Sequence, residues 1–241
     1  MHSSLKTKFR KVYEAVRSVA RAIQLYPTQS PLTFGYVCLL LLTHTWIGHW
    51  GSGERTATLL RYVSTNLANL TDHPISSLLG SALFFQGTLT HVTTLEFQGT
   101  FLTLGLGVAY FLARAEHRWG RRRAFTVFLV GHVGATLLTA VIIGVALRHG
   151  WYNNSVRVAL DYGISYGAQT MMAASVTALP RYTRLPWAVF LLAWPLVAID
   201  WSQPVLDFTT IGHIIAAVIG FAFLPPRPQS RFSNLDPARS R

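Results

Sequence analysis

The chain has 241 residues, of which 51% are apolar and only 12% are charged. Soluble domains carry about 25% charged residues, so the composition excludes an ordinary soluble domain and indicates a protein that resides in lipid. The formal net charge of +12 does not indicate a nucleic-acid partner, because the basic residues lie between apolar runs and in the terminal segments, where they set topology and contact anionic lipid.

Residues 1–30 are expected to form a basic amphipathic helix on the cytoplasmic membrane surface. One face of this helix is apolar and includes Val16 and Ile23, and the opposite face is basic and includes Arg17. Helices with this pattern lie in the interface of an anionic leaflet. Pro27 is expected to end the helix, because proline interrupts helical hydrogen bonding.

Six apolar runs follow the amphipathic segment, and each is a candidate for the roughly 20 residues that cross a bilayer. The expected spans are 32–49, 90–113, 124–147, 162–179, 185–199 and 208–224. The fold class is therefore an all-α polytopic bundle over residues 31–224. Residues 56–85 lack a full span and are expected along the outer interface, and the Pro-, Ser- and Arg-rich residues 225–241 are expected to be disordered.

The loop charges predict the orientation of the bundle. With the N-terminus in the cytoplasm, all but four of the 21 basic residues lie on the cytoplasmic side. The four exceptions are Arg55, Arg61, Arg148 and Arg157. The positive-inside rule thus predicts a plasma-membrane protein with both termini in the cytoplasm.

In this topology the second, fourth and sixth spans all begin at the outer side. Polar residues lie near each beginning: His91 and Glu96, then Ser165, then His213. Polar groups in hydrocarbon are costly and usually face the bundle interior, so these side chains are expected to meet.

Ser165 lies within Gly163-Ile164-Ser165-Tyr166-Gly167, a pattern with two interpretations. It fits the G-x-S-x-G turn of soluble hydrolases, but neither a strand nor an acidic partner in the expected order accompanies it. It also fits a membrane helix in which Gly163 and Gly167 form a small-xxx-small packing face.

The chain resembles the rhomboid family of intramembrane serine proteases over most of its apolar part. Gly163-Ile164-Ser165 matches the start of the family's Gly-x-Ser-Gly motif on the fourth helix, and Gly212-His213 resembles its histidine segment on the sixth. The resemblance implies a six-helix core with a Ser165/His213 catalytic dyad that opens outward, acting on transmembrane protein substrates.

Two further segments carry the resemblance. The run LTHVTTLEFQGT is similar to the family's His-x4-His-x3-Asn pattern, with His91, Glu96 and Thr100 at the three positions. The run AEHRWGRRR is similar to Glu-x-Arg-x-Gly, which implies a structural hairpin role for Glu116, Arg118 and Gly120. Arg118 is also explained as a cytoplasmic topology anchor.

The sequence departs from the family at the site itself. Tyr166 replaces the glycine that lets the fourth and sixth helices approach, and Gly167 is expected to take over that contact one position later. Glu96 and Thr100 replace two oxyanion donors of the family. Glu96 would donate a hydrogen bond only in its protonated form, which burial would favour.

These departures leave two functions open: a serine protease with Ser165 as nucleophile and His213 as base, and an inactive relative that binds or chaperones membrane-protein clients. A third hypothesis is a transporter that relays protons through Glu96 and His213, but the sequence lacks the paired internal repeats of many carriers. A zinc site from His91, Glu96 and His213 is disfavoured, because positions five apart on a helix diverge by about 140°. We expect no metal and no cofactor, and lipids and a membrane-protein client as partners.

Overall fold

The computed structural model describes residues 2–49, 53–197 and 206–223, and every regular element in these ranges is helical. The tail at 225–241 and the end of the fifth expected span lie outside the described residues. In chain order the main helices are α1 (His2–Gln29), α2 (Pro31–His49), α3 (Gly53–Val63), α4 (Leu67–Asp72), α5 (Pro74–Ser81), α6 (Leu95–Trp119), α7 (Arg121–Arg148), α8 (Ser165–Ala174), α9 (Arg181–Ala193) and α10 (Phe208–Ala222).

Three described helices are long and apolar enough to cross a membrane: α2, α6 and α7. Helix α10 is apolar but has only 15 residues, while α8 and α9 have 10 and 13 residues. The described part of the chain is thus all-helical, and its long apolar helices indicate a multi-pass membrane protein. The expected total of six spans stays a prediction, because short helices cross a membrane only where protein shields them or the bilayer thins.

Several expected boundaries are wrong by a few residues. Pro27 lies inside α1, which continues to Gln29. The second span begins at Leu95, where the Thr94 side chain caps the helix by accepting a hydrogen bond from the Phe97 N–H, and it continues to Trp119. The basic residues between the second and third expected spans, 114–123, are therefore helical except at Gly120. Gly120 alone separates α6 from α7, with a φ of +84° that favours glycine.

The middle of α6, Phe101–Leu112, is a π-helix. A change of helical register alters which carbonyls find a partner within the helix, and lipid supplies none. Two side chains at the end of α1 provide donors here. The Tyr26 hydroxyl donates to the Ala109 carbonyl at 2.9 Å, and the Ser30 hydroxyl donates to the Ala113 carbonyl at 2.8 Å.

Helix α8 is the buried centre of the bundle, and every residue from Tyr166 to Ala174 is buried. Its neighbours approach closely because they present glycines. A Cβ on Gly107 of α6 would lie less than 3.0 Å from Ala168, and one on Gly131 of α7 would lie as close to Thr170. On the α10 side, the Thr170 hydroxyl donates to the Ala216 carbonyl at 2.9 Å.

The loop helices α3 to α5 are tied to α7 and to the segment before α8. Backbone and hydroxyl groups of Ser64 and Thr65 bond to the backbone of Asp161. The ring of His132 on α7 lies 3.0 Å from the Ser81 hydroxyl and 3.1 Å from the Leu78 carbonyl. Both distances are to Nε2. Because a carbonyl oxygen only accepts, Nε2 carries the proton and cannot act as a base for Ser81.

Replacing Gly220 tests the contact between α8 and α10. A Cβ at this position would lie less than 3.0 Å from the Thr170 carbonyl oxygen, a backbone atom that cannot rotate away. We expect Gly220→Ala to destabilise the protein by about 1–3 kcal/mol, read as a lower unfolding midpoint in detergent. The control is Gly144→Ala in α7, where a Cβ meets nothing within 4 Å and the midpoint should stay or rise. Equal midpoints for the two variants would contradict the close contact.

Candidate functional site

A cavity of about 450 Å³ lies where α6, α8 and α10 begin and α9 ends. Four of the residues expected at the site line it: Glu96, Gly163, Ser165 and His213. The structure therefore brings a hydroxyl and an imidazole from two separate helices to one cavity. His91, Thr100, Tyr166 and Gly167 are not among the lining residues.

Ser165 is the first residue of α8 and is half-buried. The chain turns into the helix at Gly163, whose φ of +129° L side chains rarely adopt. Gly163 is thus part of a turn, and the prediction that it shares a helical packing face with Gly167 is wrong. Among the described residues, the first N–H of α8 that bonds back is that of Ala168, to the Ile164 carbonyl, and the N–H groups of the turn before it have no partner there and can bind an anion.

His213 lies in the second turn of α10 and is half-buried. Its Nδ1 atom is 2.7 Å from the Thr209 carbonyl oxygen. Because a carbonyl oxygen only accepts, Nδ1 carries the proton in the neutral ring and Nε2 holds the lone pair. His213 is thus held in the tautomer that a general base needs.

Tyr166 lies at the contact between α8 and α10, beside the imidazole of His213. The two rings meet edge to face with centroids 5.0 Å apart, and a Cβ on Gly212 would lie less than 3.0 Å from the tyrosine ring. Within the described parts of the chain, no hydrogen bond joins Ser165 to His213. The close approach of the two helices therefore depends on Gly212 in α10, which accommodates a large residue on α8.

The expected role of Gly167 in that contact is wrong. A Cβ on Gly167 would lie less than 3.0 Å from the Phe128 ring, so this glycine faces α7 and not α10. On α10 the small residues Gly212, Ala216 and Gly220 recur every four positions along the side that meets α8. Tyr166 thus faces α10, whereas Gly167 faces α7.

Glu96 is exposed in the first turn of α6, although it lines the cavity mouth. The burial on which a donor role for Glu96 depends is therefore not met. His91 is exposed, with Nδ1 3.2 Å from the hydroxyls of Thr88 and Thr90. Thr100 is buried against Gly87 and donates to the Glu96 carbonyl. Neither residue is placed to donate into the cavity.

Two aspartates at the cavity were not singled out from the sequence. Asp207 caps α10, because its Oδ2 accepts hydrogen bonds from the Thr209 and Thr210 N–H groups and the Thr209 hydroxyl. Asp161 accepts a hydrogen bond from the Tyr166 hydroxyl at 3.4 Å. An aspartate directly before an apolar helix signals an N-cap, so Asp207 was recognisable; Asp161 depends on tertiary contacts.

Burial raises the pKa of the Asp161 carboxyl to about 6, and nearby Asp207 adds to the rise, while hydrogen bonds from Thr65 and Tyr166 oppose it.

Among the described residues, no group of three histidine, cysteine, aspartate or glutamate side chains is placed to hold a metal ion.

Comparison with known proteins supplies the family. A family model described as rhomboid-like protein matches residues 25–231. The chain belongs to this family. No curated protein and no solved structure gives a match. As a rhomboid-like protein it is expected to meet membrane-protein substrates or clients within lipid.

In this rhomboid-like protein the hairpin residue Glu116 contacts the start of α2. The buried carboxylate of Glu116 accepts hydrogen bonds from the Leu32 N–H at 3.1 Å, and from the Thr33 N–H at 2.8 Å and hydroxyl at 2.7 Å. It thus caps the N-terminus of α2 from a neighbouring helix. Its ion pair, at 3.6 Å, is with Arg121. Arg118 is exposed, and within the described residues no ion pair joins it to Glu116.

Removing the Glu116 carboxylate should destabilise the fold strongly. Glu116→Ala leaves three donors at the start of α2 without an acceptor, two of them on buried Thr33, which we expect to cost about 2–4 kcal/mol in the free energy of unfolding. Glu14→Ala serves as the control, since it removes only an exposed ion pair with Arg10 and should cost below about 0.5 kcal/mol. Thermal unfolding in detergent measures both, and similar losses would contradict the capping role.

Stability should depend on pH through Asp161. A pKa raised from 3.8 to about 6 means that the folded state favours the protonated carboxyl, a contribution present below about pH 4 and lost as the pH rises through 6. Asp161→Asn should therefore stabilise the protein by about 1–3 kcal/mol at pH 7.5 and have little effect at pH 4. Unfolding midpoints at both pH values, with exposed Asp72→Asn as control, test this. A gain that is equal at both pH values would refute the assignment.

Proposed function

We propose that this rhomboid-like protein is an intramembrane serine protease with Ser165 as nucleophile and His213 as general base. The observation that supports this most directly is that both residues line one cavity while the Nδ1–H of His213 is held by the Thr209 carbonyl. The lone pair on Nε2 is thereby available to accept the proton of Ser165.

In the proposed reaction, the Ser165 hydroxyl attacks a peptide carbonyl of the substrate and its proton passes to His213 Nε2. The tetrahedral intermediate collapses to an acyl-enzyme, and His213 gives the proton to the leaving amine. A water molecule, whose proton His213 accepts, then attacks the acyl-enzyme. Its collapse releases the carboxylic acid product and restores the Ser165 hydroxyl. The negative oxygen would be stabilised by the free N–H groups in the first turn of α8, which compensates in part for the absent side-chain donors.

The walls of the cavity suggest how a substrate helix reaches the serine. The lining includes Leu95 and Leu102 from α6, and Trp194 and Val197 just after α9. We propose that a transmembrane segment enters between these helices from the lipid. The charge distribution supports placing this end of the bundle at the outer face of the plasma membrane, with both termini in the cytoplasm.

A second candidate function is a rhomboid-like protein that binds clients without cleaving them. Three observations favour it: no hydrogen bond joins Ser165 to His213 in the described chain, Tyr166 fills the contact beside the imidazole, and Glu96 is exposed. A dyad that never closes would leave a cavity suited to holding a helix but not to cleaving it.

Cleavage of a transmembrane reporter in proteoliposomes tests the protease. Ser165→Ala removes the nucleophile and should abolish cleavage, and His213→Ala should lower the rate by about 10³-fold or more. Ser155→Ala, an exposed serine in the segment before α8, is the matched control and should leave the rate unchanged.

Undiminished cleavage by Ser165→Ala would end the proposal. If the unaltered protein binds the reporter in a stable complex and never cleaves it, the client-binding function replaces the protease.

A further inference from the structure

The end of α9 contains a break in backbone hydrogen bonding that a side chain of α8 fills. In a helix the Leu191 carbonyl would accept from the N–H of residue 195, but residue 195 is proline and has none. Instead, the Gln169 side-chain Nε2 donates to the Leu191 carbonyl at 2.6 Å. A buried carbonyl in a membrane protein needs such a donor, because lipid offers no alternative.

This bond fixes the orientation of the Gln169 amide. A flipped amide would place its oxygen against the Leu191 carbonyl oxygen, which is repulsive, so Nε2 stays on Leu191 and Oε1 is held on the other side. Gln169 is only 4% exposed and lines the cavity. Within the ranges that the structure describes, no donor bonds to Oε1. The cavity is thus lined by a residue whose amide oxygen accepts no hydrogen bond from the described residues.

Gln169 lies on the same face of α8 as the proposed nucleophile. Ser165, Gln169 and Met172 follow the i, i+4, i+7 spacing of one helical face, and all three line the cavity. At 1.5 Å per residue, Gln169 is about 6 Å further along the helix than Ser165. The free acceptor is therefore one turn deeper in the cavity than the serine.

Two carboxylates on the cavity wall already accept hydrogen bonds from the protein. The Asp207 carboxylate accepts from the backbone at the start of α10, and the Asp161 carboxylate accepts from the Tyr166 hydroxyl. Apolar residues of the wall include Leu102 from α6 and Met172, which lies three residues after Gln169 on α8. A ligand group that bonds to Gln169 Oε1 would thus meet a neutral acceptor and could contact apolar side chains of the same wall.

We propose that Gln169 forms the polar end of a substrate subsite that accepts a hydroxyl side chain, serine or threonine, of the bound transmembrane segment. The hydroxyl donates to Oε1 while its methyl or methylene group contacts the apolar wall. An aliphatic side chain would leave Oε1 desolvated and unpaired.

This inference rests on the proposed binding of transmembrane segments at the cavity, but not on cleavage. The probe is a fluorescent, synthetic Leu/Ala transmembrane peptide in liposomes with one threonine, moved one position at a time through the outer half of the segment. A second series carries valine, which has the same shape without a donor. Binding to the Ser165→Ala protein gives the ratio of the valine to the threonine Kd at each position.

We expect one position at which threonine binds about tenfold more tightly than valine. Gln169→Leu, made in the Ser165→Ala background, should bring that ratio to about one. Thr210→Val is the matched control, because the Thr210 hydroxyl also bonds to the same break in α9, at the Pro195 carbonyl, without contributing the free acceptor. This variant should keep the ratio near ten.

The subsite is overturned if the valine-to-threonine Kd ratio is near one at every position in the Ser165→Ala protein. It is also overturned if the threonine preference persists after Gln169→Leu. Loss of the preference in Thr210→Val as well would assign it to the shape of α9 and also overturn the proposal. Cleavage of the same peptides by the unaltered protein is scored separately: cleavage without threonine preference refutes only the subsite, and preference without cleavage refutes only the protease. If no peptide binds, both fail.

Discussion

The contact between α8 and α10 is the constraint on which the site depends. The two helices approach so closely that a Cβ at Gly220 would collide with the backbone of α8, and the Thr170 hydroxyl reaches the Ala216 carbonyl across the interface. Small residues at helix interfaces permit this packing in lipid, where no hydrophobic force joins the helices. Because the helices are fixed to each other along their length, Ser165 at the start of one and His213 near the start of the other open onto one cavity.

Tyr166 shows how this packing accommodates an unusual residue. A tyrosine on the side of α8 that meets α10 would separate the helices if α10 also presented a side chain, but Gly212 leaves room for the ring. The ring then lies against His213 and its hydroxyl reaches Asp161. One substitution beside the serine thus couples the imidazole to a carboxyl group in the preceding turn.

A second theme is that interrupted helices are completed from other helices. Gln169 satisfies the carbonyl that Pro195 leaves free, Tyr26 and Ser30 donate to carbonyls along and just after the π-helical segment, and Glu116 caps α2. Each tie joins elements far apart in sequence. In a bilayer these bonds are obligatory, because an unpaired backbone group costs several kcal/mol. Irregular backbone near the cavity is therefore stabilised by side chains that also shape it.

The sequence by itself determined the lipid environment, the helical class, the order of the apolar helices and the family, because composition, apolar runs and short motifs are local properties. It also indicated that Ser165 and His213 belong together, through the shared position of their helices in the topology. Only the tertiary structure decided which neighbour each small residue meets: Gly167 faces Phe128, Gly212 receives Tyr166, and Glu96 stays exposed. The role of Gln169 was equally invisible, since its partner is a carbonyl 22 residues away, freed by a proline on another helix. Helical spacing gives the face of a residue, but its partner depends on how the helices rotate and cross when they pack.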